Sequence, residues 1–524
     1  MGNGVSAENA PRVTVKRLNN LPDGVEDAGS TKYSTSTELS SDEKEELHES
    51  YKETRERSDV EYFELIRQLN KTNCLWQDPT FPATLNTITS AVLSPGEVTW
   101  KRPKEVHPEA TVAFDENVPF TLIQGLIGCH NLIGGLVTTA IYPRLLTYVV
   151  PDQQDPDDVG YAGVFRTFFW VFGSWKQVLV DDRVPVDQQG QFLFLHSNDP
   201  RVLWPCLLEK AYAKLNRGYG NLEGRSVDES LSALTGRLCT TIPLVWLMES
   251  NNLEHMLVRY LREGSLITCD ILNEKVRTIS SHGLVDSHLY NITKIIHVRC
   301  ESQKLCLVKF CDFYGNAAGW TGAWGLGSLN SRELSKKDRA KLEMFSQSEK
   351  EFWMTTEDLV KHFLYLTVCH TNVKPLAGEK DKTVPLSMSE TQIYGQWKFQ
   401  SAGGSPEYGA TFHLNPQYLV RIEPAVKGDE SKDVTVYLSL MLHSESRSYW
   451  NVAACFYKVN KEPTDVLDCI FFQRRTPLRT QSSSGRRELV ATLFLQPGLY
   501  MVVPFTESPG QEMKFLIRIY CSNG

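Results

Sequence analysis

The residues QGLIGCHNLIGG, Gln124 to Gly135, decide how this chain is read. A short apolar run ends in Gln124-Gly125, turns through Gly128, and continues into small and apolar residues suited to a buried helix. A nucleophile at such a helix start gains from the terminal N–H groups and from a nearby imidazole, which together favour a thiolate. Here the helix start carries Cys129 and then His130.

At 524 residues the chain is too long for one core, and three or four structural units are expected. A hydrophobic content of 41%, a charged content of 23% and a net charge of -8 describe an ordinary soluble protein. The mild acidity argues against generic nucleic-acid binding. No segment approaches the run of about 18 apolar residues that a membrane span needs. The first 60 residues lack the apolar stretch of a signal peptide. Twelve cysteines, without CxxC pairs and mostly inside apolar runs, fit reduced thiols in the cytoplasm.

The N-terminus MGNGVS matches the myristoylation pattern M-G-x-x-x-S, with Gly2 as the acylated residue after Met removal and Ser6 at the favoured position. The polar residues that follow, through about Thr37, keep Gly2 accessible. One myristoyl chain gives only marginal membrane binding, with an association constant on the order of 10^4 per molar. The first cysteine is Cys74, too far away to carry a second acyl chain beside it, and only Arg12, Lys16 and Arg17 are close enough to assist. Stable anchoring therefore needs another contact. Residues Ser41 to Asn70 read as a charged helix, capped by Ser41, whose stripe of Leu47, Tyr51, Tyr62, Leu65, Ile66 and Leu69 packs its C-terminal half on the next domain.

Several segments resemble the calpain family of papain-like cysteine proteases. LWQDPTFPA (Leu75 to Ala83) and WKRPKEV (Trp100 to Val106) are similar to its entry segments. GVFRTFFWVFGSWKQVLVDDRVPV (Gly163 to Val186) resembles its paired strands, with Asp181-Asp182 at a turn. LWPCLLEKAYAKLNRGYGNLEG (Leu203 to Gly224) resembles its central helix, with Leu207, Leu208, Ala211 and Leu215 on the apolar face. EFWMTTEDLVKHF (Glu351 to Phe363) is similar to the end of its second lobe. The order is the family's order, from Cys74 to about Asn372.

The family's active-site peptide is Q-G-x-x-G-D-C-W. Gln124, Gly125 and Gly128 match it, but the Asp, Cys and Trp positions hold Cys129, His130 and Asn131. The resemblance makes His130 the occupant of the nucleophile position. GLVDSHLYNIT (Gly283 to Thr293) resembles the histidine motif and makes His288 the general-base position, while Asp312 falls at the third position. Asp312 is expected to orient His288, and Gln124 to supply an oxyanion-hole donor. The missing thiolate costs orders of magnitude in acyl transfer. Two rescues are open. Cys129 is one residue early, about 100° away on a helix start. His130, His288 and Asp312 form a ligand set that suits zinc or iron. The default is that His130 fills the cleft and hydrogen-bonds there.

Calcium control is expected to be lost too. The family's acidic position three residues before the active-site Gln is Thr121. In DFYGNAAGWTGAWGL, Trp320, Gly322 and Trp324 align with the second calcium loop, but its Glu and Asp positions are Gly319 and Leu326. Those side chains offer no oxygen to a hard cation. No cofactor is expected, and the tryptophans are expected to pack the core.

After a Pro- and Lys-bearing linker the chain alternates as a β-sandwich does, with Val434, Val436, Leu438, Leu440 and Leu442 on one face. SAGG, NPQY, LQPGLYMVVP and FLIRIY resemble the C2-like domain that follows the calpain core. Its acidic loop, KGDESKD from Lys427 to Asp433, is nearly charge-balanced, which argues against a calcium-dependent lipid site. The sequence ends at this domain, so the EF-hand module of conventional calpains is expected to be absent. Arg474, Arg475, Arg479, Arg486 and Arg487 flank a Ser-rich loop and offer a surface for acidic head groups or an acidic protein.

The expected fold is α+β: a two-lobed papain-like core followed by a C2-like antiparallel β-sandwich. The units are 1–73 (polar segment and charged helix), 74–232 (lobe 1), 233–375 (lobe 2), 376–391 (linker) and 392–524 (sandwich). The expected function is that of a catalytically inactive adaptor or regulator in the cytoplasm. It would be held at membrane or cytoskeleton by its myristoyl group and would bind cytoskeletal proteins, active calpain relatives or an anionic membrane. The alternative is a residual calcium-independent cysteine-type or metal-dependent hydrolase.

Overall fold

The computed structural model of the protein describes residues 11–18, 51–88, 96–115, 121–126, 130–140, 143–223, 226–249, 252–271, 282–285, 288–300, 303–312, 320–325, 328, 334–345, 351–370, 388–424, 433–443, 451–483 and 487–523. The chain divides into two compact units, one built on residues 51–171 and 175–371 and the other on residues 372–524 with the N-terminal segment and residues 172–174.

The first unit opens with the Tyr51–Thr72 helix. Its solvent side carries short-range ion pairs such as Arg67 to Glu64 at 2.8 Å. Its C-terminal half buries Tyr62 and Ile66 against Ala162 and Val164, as the apolar stripe predicts. The Trp204–Leu215 helix departs from expectation, because it is buried nearly all round, Glu209 and Lys210 included. Its polar face does not meet water. Instead Lys210 donates to the carboxylate of Asp181 at 2.6 Å and to the carbonyl oxygens of Asp181 and Arg183 at 2.9 and 2.7 Å. Asp181 ends the Ser174–Asp181 strand, so the Asp181-Asp182 turn read from the sequence is a buried charge centre.

The second half of this unit is a six-stranded antiparallel sheet. Its order is Glu351–Thr355, Gln303–Cys311, Leu289–Cys300, Leu266–Asp270, Tyr365–Cys369 and Cys239–Pro243. Phe310 stacks on Phe352 and Phe363 with centroids 5.1 and 5.3 Å apart, which fixes the middle of one sheet face. The Leu253–Arg262 helix lays Leu253, Leu257 and Tyr260 into the same core.

The second unit is a sandwich of two antiparallel sheets. One runs Met388–Trp397, Met513–Asn523, Val434–Leu442, Glu488–Leu495. The other runs Arg12–Leu18, Gln417–Glu423, Gly498–Thr506, Val452–Val459, Arg479–Ser483. Val434, Val436, Leu438, Leu440 and Leu442 line the core between them, as the alternation predicts. Thr435, Tyr437, Ser439 and Met441 on the opposite face are buried as well. Two boundaries differ from the sequence reading. Met388 already begins a strand inside the stretch read as linker. Arg12–Leu18, read as part of a polar tail, pairs in register with Gln417–Glu423 from Arg12 opposite Glu423 to Leu18 opposite Gln417. Val13 and Val15 then pack against the sandwich core, and Lys16 meets Glu462 at 3.2 Å. The exposed edge of Gln417–Glu423 offers free backbone groups, and an alternating RVTVKRL segment is the strand that satisfies them.

Candidate functional site

The peptide from Gln124 to Gly135 is entered through the short Leu122–Ile123 strand, which pairs with His196–Ser197. Beyond it the backbone runs tight against a neighbour: Leu126 N–H donates to the Leu193 carbonyl at 2.7 Å. A Cβ on Gly125 would stand 2.2 Å from that same oxygen, so only glycine fits. The described part of the helix runs from His130 to Thr139. The His130 side chain and all of Cys129 lie outside the described residues.

Gly134 explains how this helix reaches the second lobe. A Cβ there would fall 1.8 Å from Leu289 Cδ1, so the missing side chain lets the helix press onto the strand that starts at Leu289. Thr138 Oγ1 donates to Asn291 Oδ1 at 2.5 Å, tying the next turn to the same strand. Ser230 of the Val227–Thr235 helix donates to the Asn131 carbonyl at 2.7 Å and holds the first turn from the other side.

His288 immediately precedes the Leu289–Cys300 strand, and Asp312 immediately follows Gln303–Cys311. These strands are antiparallel neighbours with Asn291 opposite Cys311, so the register brings the two residues to one end of the ladder. Asp312 Oδ1 lies 2.9 Å from His288 Nε2. Both are buried, His288 to 1% exposure and Asp312 to 5%. The Tyr290 ring lies 4.6 Å from the imidazole centroid to centroid, and its hydroxyl accepts from Val285 N–H at 3.0 Å. A carboxylate on Nε2 fixes the orientation of the ring. The structure thus brings His288 and Asp312 together. Gln124 lies half-exposed on the approach to the helix.

Of the positions aligned with calcium ligands, Thr121 is used through its backbone, its carbonyl accepting from Asn198 N–H at 3.0 Å. Gly319 and Leu326 lie outside the described residues. Trp320 and Trp324 are buried and pack the sheet as expected, with Trp320 Nε1 donating to the Ala323 carbonyl at 2.7 Å. In the sandwich, Arg474 and Arg475 are exposed, and the Arg475 guanidinium lies 4.7 Å over the Phe471 ring. Arg487 is a correction to the expected anionic surface: it is buried at 8% exposure beside the Glu488–Leu495 strand and does not face solvent. Gly2 and the side chains of Arg479 and Arg486 lie outside the described residues. Among the described residues, no helix is long and apolar enough to cross a membrane.

What the sequence reading missed is the buried charge network of lobe 1. Asp181 accepts from Lys210, from Arg183 Nη2 at 2.7 Å and from Asp78 N–H at 3.0 Å. Asp78 in turn pairs with Lys214 at 2.7 Å. Asp182 pairs with Arg102 and accepts from Tyr161 Oη at 2.8 Å. The only sequence signal was charge inside otherwise apolar segments.

Comparison with known proteins joins these observations. Residues 76–370 match the calpain family cysteine protease domain, and residues 393–520 match domain III of the calpain large subunit. The chain is 30% identical to a calpain of Schistosoma mansoni over 88% of its own length and 62% of that protein's. It is 33% identical to human calpain-14 over 87% of its length and 67% of that protein's. The chicken calpain-1 catalytic subunit is 30% identical over 88% and 67%. The chain therefore spans less than two thirds of the Schistosoma relative. The first match covers the core that holds His288 and Asp312 and the second covers the antiparallel sandwich after it, and the chain belongs to the calpain family of cysteine proteases.

Proposed function

We propose that this chain is a noncatalytic calpain that works as an adaptor or regulator at a membrane or the cytoskeleton. The observation that carries the reading is the residue aligned with the family's nucleophile: it is His130, in the described helix His130–Thr139. An imidazole there cannot replace a thiolate in forming an acyl-enzyme at a useful rate. Three further features support it. The calcium-ligand positions Thr121, Gly319 and Leu326 carry no carboxylate. His288 is 1% exposed, so the remaining base is closed off from solvent. The contacts of the His130–Thr139 helix with Leu289 and Asn291 hold the two lobes together without requiring turnover.

The purified chain is expected to release no fluorophore from calpain peptide substrates with or without calcium. The bonded His288–Asp312 pair is what favours a second reading, calcium-independent hydrolysis with Cys129 as nucleophile. Robust calcium-independent cleavage that Cys129→Ala abolishes would overturn the noncatalytic reading in favour of that one.

The attachment rests on two weak contacts, Gly2 myristoylation and the exposed Arg474 and Arg475. Each is marginal alone, and linked together they reinforce one another. Co-expressed with an N-myristoyltransferase, the chain is expected to sediment with phosphatidylserine vesicles. Gly2→Ala should reduce the bound fraction about tenfold, by analogy with the loss of one of two linked contacts. Equal binding by the two proteins would remove acylation from the account.

A further inference from the structure

The Leu253–Arg262 helix and the strands Leu289–Cys300 and Gln303–Cys311 bring together three side chains far apart in sequence: Glu254, His297 and Cys306. His297 and Cys306 stand directly opposite each other in the register, so their side chains leave the same face of the sheet. That face carries the helix, whose buried Leu253 and Leu257 fix the height at which Glu254 reaches the pair. Glu254 Oε2 lies 3.2 Å from His297 Nε2, and the same carboxylate acts electrostatically on the Cys306 thiol. One donor atom from each residue falls within 4.8 Å of the other two.

We propose that Glu254, His297 and Cys306 form a zinc site on the back of lobe 2, with water in the fourth position. The chemistry of the donors selects the ion. A thiolate, an imidazole and a carboxylate are the three side-chain ligand types that zinc takes, whereas calcium and magnesium take oxygen alone. Zinc bonds of about 2.0–2.3 Å place tetrahedral donors roughly 3.3–3.8 Å apart, so the triad has to close by about an ångström. Glu254 and His297 can supply that movement, because their side chains are 49% and 37% exposed while Cys306 is held in the sheet. On binding, sulfur forms a bond to zinc and the thiol proton passes to solvent, while the neutral imidazole moves its remaining proton to Nδ1 and binds through Nε2. The local charge suits a dication, because Glu254 and Glu357 both act on Cys306, with Lys304 acting against them. The ion would pin the Leu253–Arg262 helix to the hairpin below it. The site does not depend on whether the cleft is catalytic.

The test uses the full chain, stripped with a chelator and titrated calorimetrically with zinc alone. One equivalent is expected to bind with high affinity. His297→Gln and Glu254→Gln, both at partly exposed positions that leave the core intact, should each weaken it by at least about tenfold, the loss that even outer-shell partners of a metal bring. Cobalt(II) should give the near-ultraviolet thiolate charge-transfer band, absent in Cys306→Ala. Absence of zinc binding by the natural chain, or binding that the Glu254 and His297 variants retain unchanged, would overturn the proposal.

Discussion

Asp181→Ala is expected to cost the first unit about 3–5 kcal/mol of folding stability, the range for removing one partner of a buried ion pair. Asp181 and Lys210 are both fully buried. Without the carboxylate the Lys210 ammonium keeps the carbonyls of Asp181 and Arg183 and the Trp100 ring, none of which carries a counter-charge. Arg183 loses its carboxylate as well. Lys210→Met should cost clearly less, because Asp181 would still accept from Arg183 and from the Asp78 backbone. Urea unfolding followed by tryptophan fluorescence checks the order: a lowered midpoint at unchanged slope for both variants, with the larger drop for Asp181→Ala. Equal midpoints, or the reverse order, would show that the pair is not organised around the aspartate.

The same network gives a pH dependence. Burial pushes the Asp181 carboxyl up, but the bonds from Arg183 and Lys210 outweigh it and hold it well below the usual carboxylate range. A folded value below the unfolded one, about 3.9, means that the carboxylate contributes its full stabilisation above that pH. The contribution fades as the pH falls from there toward the folded value. Acid should therefore destabilise the natural chain below about pH 4 more steeply than it destabilises Asp181→Ala.

Much of the fold was legible because glycine and alternation leave signatures that packing does not erase. Gly125 and Gly134 sit where a side chain would collide with Leu193 or Leu289, so the spacing of the opening peptide records two close approaches in space. The alternation of Val434 to Leu442 predicted its core face. His288 and Asp312 were found because each lies at a strand end inside a recognisable motif, and the register does the rest. Where both faces of an element are covered, the polar positions lose their usual meaning. Lys210 follows the helical period of a solvated residue, yet it is buried on Asp181. Ser439 likewise looks like the wet side of a strand and is fully buried. Arg12–Leu18 alternates correctly, but its strand exists only through an edge supplied some 400 residues later, at Gln417–Glu423. The Glu254, His297 and Cys306 cluster has no local spacing at all, since three separate elements supply it.

In the sandwich, Glu488→Ala is expected to destabilise the second unit by about 3–5 kcal/mol, while Glu488→Leu combined with Arg518→Met should recover most of that loss. Arg518 is fully buried and donates to Glu488 Oε1 at 2.7 Å. Ser439 Oγ donates to the same oxygen and lies 3.4 Å from Arg518 Nε, and the guanidinium also lies 5.6 Å over the Tyr520 ring. These groups come from three adjacent strands, with Ser439 directly opposite Arg518 in the central pairing. They occupy the sheet face opposite the inter-sheet core, where Ile517 and Ile519 point. Removing the carboxylate alone takes a counter-charge from a buried guanidinium, whereas removing both charges leaves apolar side chains of similar volume. Single and double variants, unfolded in urea, should thus show a coupling of more than about 1 kcal/mol. Additive losses would show that the two charges are solvated separately. A one-residue slip of Met513–Asn523 would turn Arg518 into the core and leave Glu488 without it. The buried pair therefore penalises the wrong register, a role that survives even if Glu488→Leu with Arg518→Met keeps the stability of the right one, as expected.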